Sequence, residues 1–278
     1  MPLTNSIPTI VGNAVLESLK KNLVYRNLFN ENYTGNVAPG NAVTIVSPGS
    51  VTVGDYTVYT DMTEEAVTDS GQTLIIDQQK YYNIVIDDVD AAMARPNVMA
   101  AYANEAVYQM GETIDSYLAG LLAAGGDITA DLGDDTTPLE INSANAPDVL
   151  QLIARKLDDA KVPRDGRIVV LPPWYVEDMV AANLSTLTNN TEVAASGFVG
   201  RYAGFNILMS NNVPNTANER YKIIAGSNIA ATMAIAISET ERLRHQKQFA
   251  DILRGLAVYG GKVTRSAALA VATCNEAA

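Results

Sequence analysis

The stretch that decides the fold runs from Val37 to Ile86. Val43-Thr44-Ile45, Val51-Thr52-Val53 and Tyr56-Thr57-Val58-Tyr59 lead out; Leu74-Ile75-Ile76 and Tyr82-Asn83-Ile84-Val85-Ile86 lead back. Val43/Ile45, Val51/Val53 and Tyr82/Ile84/Ile86 alternate at period two, the signature of extended chain. Pro48-Gly49, Gly54-Asp55 and Ser70-Gly71 punctuate the run and place its tip between Thr60 and Gln72. From Val37 to Gln79 there are six acids (Asp55, Asp61, Glu64, Glu65, Asp69 and Asp77) and no Lys, Arg or His. A two-stranded ribbon alone in water is marginal, so something outside it must cover it.

Around the ribbon lie two helical signals. Residues 7–30 form an amphipathic segment, with Ile10, Ala14, Leu16, Leu19, Leu23 and Leu28 near helical spacing and Lys20, Lys21 and Arg26 between them. Since it precedes the ribbon, it reads as an arm lying on another surface, with a first helix packed on the chain's own core as the alternative. After the ribbon, Met99, Tyr102, Ala106, Met110, Ile114, Leu118 and Leu121 repeat every three or four residues. Pro96 suits the first turn and Gly125-Gly126 the end. Such a helix is roughly 29 residues and about 44 Å long.

The centre of the chain reads as α/β. Ser143 or Asn145 caps a helix with Pro147 and Asp148 in its first turn and Val149, Leu150, Ile153 and Leu157 on its buried face. Arg167 to Leu171 is a short buried strand, Pro172-Pro173 opens a helix through Met179, and Phe205 to Met209 and Tyr221 to Ala225 are strands. The chain then turns to β, with strands over Ala231–Ile237, Leu253–Val263 and Ala267–Ala272.

With 278 residues, 47% of them hydrophobic, there is ample material for a core. The net charge of −12 is uneven: residues 1–128 hold 5 basic and 15 acidic side chains, the remainder 14 and 16. Such a surface does not grip phosphates without a local basic patch. Cys274, the sole cysteine, allows no intrachain disulfide. The start of the sequence has no signal-peptide pattern, and no apolar stretch is long enough to span a bilayer.

Catalytic chemistry finds little support. His245, the one histidine, sits in the basic run Arg242-Leu243-Arg244-His245-Gln246-Lys247, and nothing in the sequence orients its ring. Gly255 to Lys262 fails as a phosphate loop, with Leu256 and Val263 where the motif needs Gly and Ser or Thr. Asp127, Asp131, Asp134 and Asp135 could hold a hard cation, but without EF-hand spacing they read as a solvated acidic loop. No cofactor or metal site is expected. The basic residues Arg242, Arg244, Lys247, Arg254, Lys262 and Arg265 carry only Glu241 and Asp251 among them. Nucleic-acid phosphate contact and a plain solvated face are two readings of this run; the charge asymmetry favours a third, the acidic ribbon of a neighbouring copy, so the candidate inter-subunit contacts are Asp55, Asp61, Glu64, Glu65 and Asp69 against Arg242, Arg244, Lys247 and Arg254.

Arm, two-stranded loop, long helix, α/β centre and β-rich return form an α+β order that resembles the tailed-phage major capsid proteins of the Hong Kong 97-type fold. The local likeness runs through Ile7–Asn30, Val53-Gly54-Asp55-Tyr56-Thr57, Leu74-Ile75-Ile76-Asp77-Gln78 and Asp87-Asp88-Val89-Asp90 before the helix. It continues through Leu157–Arg164, Val169–Trp174, Gly197–Val213 and Arg254-Gly255-Leu256 to Arg265. The resemblance implies an N-arm (1–36), an E-loop (37–86), a peripheral domain with the spine helix (87–128), an axial domain (129–230) and peripheral C-terminal strands (231–278). Ser185–Ser196 is its candidate axis loop. It implies no enzyme but a self-assembling subunit of pentamers and hexamers, closing an icosahedral shell on double-stranded DNA. A portal and a separate scaffolding protein are the implied partners, and no membrane. The implied location is the virion, with assembly in the host cytoplasm. Some members weld their shells through an E-loop lysine; here the loop has no lysine before Lys80, at its base, which predicts a non-covalent shell. An encapsulin-like bacterial compartment is the alternative with the same fold.

Overall fold

The computed structural model describes residues 24–32, 42–48, 69–88, 98–127, 130–182, 198–217 and 219–277, with single positions between 53 and 66. The expected arm helix before residue 24, Glu65, the Pro96 helix start and the Ser185–Ser196 loop lie outside the described residues.

Helix α1 spans Val98–Gly125. Of the expected stripe, Met110, Ile114 and Leu118 are buried and Ala106 and Leu121 half-buried, while Val107 and Leu122, outside that stripe, are buried beside them. Tyr102 is the departure, standing half exposed near the start of the helix.

The helix covers one face of a four-stranded sheet. Its strands are β1 (Phe29–Asn30), β11 (Ala231–Arg244), β12 (Ala250–Val263) and β4 (Gln78–Asp87), in that order. β11 and β12 form one long hairpin with a bulge between Ile237 and Glu239. The sequence ended the first of these strands at Ile237 and began the second at Leu253; the pairing continues through both gaps to Arg244 and Asp251. Tyr117 of α1 meets Tyr259 of β12 edge to face, ring centres 5.3 Å apart.

Among the described residues, β2 (Ala42–Pro48) and β3 (Asp69–Ile75) pair as an isolated antiparallel couple. The expected return strand beyond Gln78 is β4, an edge strand hydrogen-bonded to β12. Nor is the ribbon without a packing partner: Leu74 and Ile76 are buried against Ala234 and Val258, with Val43 and Ile45 beside them. Apolar burial therefore seats the base of the ribbon on the sheet face opposite α1.

A second, seven-stranded sheet carries the α/β centre. Along it run β5 (Leu139–Ile141), β13 (Leu269–Glu276), β10 (Arg220–Gly226), β6 (Ile168–Leu171), β8 (Phe205–Met209) and β7 (Phe198–Tyr202), with β9 (Asn215–Thr216) on β10. Helices α2 (Ala146–Asp159) and α3 (Pro173–Ala181) accompany it. Val149, Leu150, Ile153 and Leu157 form the buried face of α2, as their spacing requires. Asn145 does precede α2, but its side chain makes no cap bond and instead joins the Asn142 turn. β13 was grouped with the preceding strands as a C-terminal unit; it instead pairs with β10 and β5 in the larger sheet.

The expected α-helical arm does not extend through residues 24–30. Tyr25–Leu28 is a 3-10 turn and Phe29–Asn30 is the strand β1, parallel to Ala231–Thr232. Tyr25, Leu28 and Phe29 are buried in the chain's own core, not laid on another surface. A single row of large apolar residues sinks this short segment wherever it finds a cavity, and the gap between sheet and helix is such a place.

Candidate assembly surface

The described tip of the ribbon is apolar and bare. Val53 is 94% exposed and Tyr59 is fully so, with Tyr56 and Val58 more than half exposed. Tyr59 also has a positive φ of 68°, a turn conformation that aims its ring outward. Four large apolar side chains in one short stretch exceed what scattered surface residues explain. Asp55, Asp61 and Glu64 are exposed among them. Asp69 starts β3 at the far end of the paired strands.

A second bare surface lies on the four-stranded sheet. Alternation puts α1 on one face, where Leu253 and Ala257 are buried. On the other face, Tyr81 pairs with Leu256, Asn83 with Arg254 and Val85 with Ile252, while Glu241 and Leu243 continue the same rows on β11. Among the described residues the ribbon base covers this face at Ala234, Val258 and Gly260, with Leu256 and Lys262 also touching it. Beyond it, Tyr81 is 78% exposed, and Val85 and Leu243 are about half exposed. A shallow depression of about 370 Å³ opens there between Tyr81, Tyr82, Asn83, Glu241, Arg254 and Leu256.

The basic run is engaged within its own hairpin. Arg254 Nε donates to Glu241 at 2.8 Å directly across β11 and β12. Arg242 donates to Asp251 at 2.6 Å. Arg244 bridges Asp251 and Asp88, donating to the latter at 2.7 Å. Arg242 first, and Arg244 with it, hold the Asp251 carboxyl below its usual range. The two acids counted within the run are thus partners of its arginines. Lys247 is exposed in the turn. Among the described residues no ion pair joins this run to Asp55, Asp61 or Glu64 of the same chain.

The acidic loop is likewise put to structural use. Asp127 pairs with Lys156 and Asp135 with Lys222, each at 3.3 Å. The backbone N–H groups of Thr136 and Thr137 donate to Asp134 at 2.7 Å and hold its carboxyl low. Among the described residues no three ligating side chains come together as a metal site. His245 accepts the Lys247 N–H through Nδ1 at 3.1 Å and is an ordinary turn residue. Cys274 is buried in β13, and burial pushes its thiol up to about 12. Among the described residues no helix is long and apolar enough to cross a membrane.

The model of the phage capsid protein family matches residues 50–272, which takes in the ribbon tip, the sheet and the long helix. The chain belongs to the phage capsid protein family. No curated protein matches it. Among solved structures, a chain from Mycobacterium phage Che8 is 27% identical over 90% of both chains, with a TM-score of 0.70. The capsid of cyanophage P-SCSP1u shares the fold at 16% identity and TM-score 0.70, covering 92% of this chain and 89% of that one. The virus-like particle of Pyrococcus furiosus shares it at 10% identity and TM-score 0.58, over 96% and 99%. This phage capsid protein is therefore a structural protein of a bacteriophage, a major capsid protein whose fold is α+β.

For a capsid protein, the two bare surfaces are the candidate assembly site. Sequence reading took Val53, Tyr56, Val58 and Tyr59 as outgoing strand and placed the tip beyond them, between Thr60 and Gln72. It missed Tyr81, Val85 and Leu243, although their period-two spacing across a hairpin carried the signal. The glycines of the rejected phosphate loop have a packing role: a Cβ on Gly261 would press Leu121 of α1, and one on Gly260 would strike the ribbon base.

Proposed function

We propose that the chain builds the icosahedral shell of a tailed bacteriophage, of the Hong Kong 97 type, around double-stranded DNA. In that reading residues 1–36 are the N-arm and the β2–β3 ribbon is the E-loop. The four-stranded sheet with α1 is the peripheral domain, and the seven-stranded sheet is the axial domain. β4 and β13 pass from the units first assigned to them into these two sheets. Pentamers and hexamers of the chain close the shell, with a portal and a separate scaffolding protein as partners.

The observation that carries this reading is the pair of bare apolar surfaces. Val53, Tyr56, Val58 and Tyr59 project from a ribbon whose base alone is seated. The sheet face continuing from that seat is uncovered at Tyr81, Val85 and Leu243. A neighbour's tip covering that face buries both. Apolar burial is the main drive, since the hairpin arginines already hold carboxylates. The acids Asp55, Asp61, Glu64, Glu65 and Asp69 then add register against Arg242, Arg244, Lys247 and Arg254 at the rim. Each contact is modest, and repetition around a closed shell makes the sum strong.

Electron microscopy of the purified protein tests the reading. Closed shells, yielding a single 29.6 kDa band on denaturing gels, are expected. Discrete monomers under all conditions overturn the shell, and covalent ladders overturn the non-covalent assembly.

A further inference from the structure

Residues 24–30 run against the middle of α1. The carboxylate of Asp115, buried there, accepts the backbone N–H groups of both Val24 and Tyr25 at 2.9 Å. A few residues on, Phe29 closes around Gly261 together with Leu118 and Leu121 of α1. Between these two points the segment runs in the same direction as α1. Followed backwards from Val24, the chain heads along the N-terminal half of the helix.

That half presents a face left open by the described residues. Tyr108 lies seven residues before Asp115, two turns up the same side of α1, and stands half exposed. Tyr102 is half exposed nearer the start of the helix. Glu105 and Glu112, also seven residues apart, form a row beside Tyr108 and are both exposed. α1 contains no Lys or Arg. Among the described residues neither glutamate has an ion-pair partner, and Glu105 accepts the Gln109 amide of its own helix at 3.0 Å. Two aromatic rings and two acids on one side of a helix fit a basic amphipathic segment.

The chain itself supplies such a segment, and it ends at the right place. Residues 10–23 lie outside the described residues. In a helix, Leu16, Leu19 and Leu23 share one side, with Lys20 at its edge and Glu17 turned away. These 14 residues would span about 21 Å, and α1 covers about 20 Å from Tyr102 to Asp115. Leu23 is joined to Val24, which Asp115 already holds. Tethered there, the segment meets its own α1 at a high effective concentration, which a neighbour's copy in dilute solution does not match.

We propose that residues 10–23 dock along the N-terminal half of α1 in the same chain, with Leu16, Leu19 and Leu23 on Tyr108 and Lys20 beside the Glu105–Glu112 row. A lone helix of this length is marginal in water, so the contact orders the segment as well as covering the face. The contact lies within one chain and does not depend on shell closure.

Disulfide trapping on the full-length, unassembled protein tests the docking. Leu16→Cys with Tyr108→Cys should oxidise to an intrachain bridge, seen as a shifted monomer band on non-reducing gels. Cys274 is buried and does not compete. Leu16→Cys with Phe249→Cys, at the exposed hairpin turn, is the control and should bridge about tenfold more slowly. Lys20→Glu should slow the first pair severalfold at low salt. Equal rates in the two pairs, or a rate indifferent to Lys20→Glu, overturns the proposal. So does a dimer as the main product when the single variants Leu16→Cys and Tyr108→Cys are mixed, which would put the segment on a neighbour. Should the double variant not fold, hydrogen exchange on the dilute wild type decides: amides of residues 14–23 should be protected, and free exchange overturns the docking.

Discussion

Gly260 of β12 lies directly beneath the Ile75–Ile76 peptide of the ribbon base, so close that a Cβ on it would stand 2.8 Å from Ile76 Cα. The obstacle is backbone, which cannot swing aside. Gly260→Ala should therefore lift the ribbon off its seat at Leu74, Ile76 and Val258. The expected cost is about 1–3 kcal/mol, the range for overpacking. Gly255→Ala is the control, because its Cβ would meet the Tyr82 ring, a side chain able to rotate. Thermal unfolding should rank Gly260→Ala as the worse, and hydrogen exchange should rise at 70–76 in that variant only. Equal exchange in the two variants would contradict a ribbon seated through Gly260.

Among the described residues Arg167 is the largest fully buried side chain, and it anchors the larger sheet to the end of α2. Its guanidinium donates to Asp158 at 2.7 Å, to the Val162 carbonyl at 2.6 Å and to the Pro163 carbonyl at 3.0 Å. Arg167→Ala leaves the Val162 and Pro163 carbonyls without their donor, at about 1–3 kcal/mol for a buried acceptor left unsatisfied, which urea unfolding should show. A loss like that of an exposed arginine would refute the anchor.

The same pair sets a pH dependence. Arg164, then Arg167, hold the Asp158 carboxyl below its usual range. A depressed carboxyl contributes stability above its unfolded value and loses it as pH falls through the folded one. Unfolding curves taken at descending acid pH should therefore be shallower in pH for Asp158→Asn than for the wild type. An unchanged slope would show that Asp158 is not coupled to folding.

How much of this was legible in the sequence depends on the range of the interaction. The long helix and the buried face of α2 were readable because their periodicity is local: Ile114, Leu118, Ile153 and Leu157 advertise their own burial. The family likeness was readable from element order. The partners of the arginines were not, because Glu241 meets Arg254 only once the hairpin register is known. Two strands read as ending at Ile237 and starting at Leu253 leave Arg242 and Asp251 unpaired on paper. The Gly260-Gly261 pair looked like a spoiled phosphate loop because a glycine that makes room for a backbone 185 residues away has no local signature. Asp115, buried in α1, gave no signal at all, since its Oδ1 accepts from the main-chain N–H groups of Val24 and Tyr25, which any residue type supplies.

Cys274 reports on the larger sheet as a whole. It is fully buried in β13, between β10 and β5, and its thiol is pushed up to about 12. Thiolate is the reactive form, so a maleimide at neutral pH should label the folded protein far more slowly than the urea-unfolded chain. Because β13 pairs on both sides, labelling should follow global unfolding and share its urea midpoint. Fast labelling of the folded protein would mean that β13 opens on its own, contrary to its central place in the sheet.

The shell reading makes its sharpest demand on side chains that do nothing for the isolated subunit. Tyr56 and Tyr59 are exposed, so replacing both by Ser should change subunit stability by no more than about 0.5 kcal/mol each. Tyr81 and Leu243 are exposed on the opposite surface, and Tyr81→Ser with Leu243→Ser should be similarly mild for folding. Assembly, followed by light scattering and micrographs, should fail or need much higher protein concentration in both double variants. The four-fold combination should be little worse than either pair, because residues that cover each other lose one shared contact, not two. Additive losses would mean that the tip and the sheet face meet different partners, and full assembly of either pair would remove that surface from the interface.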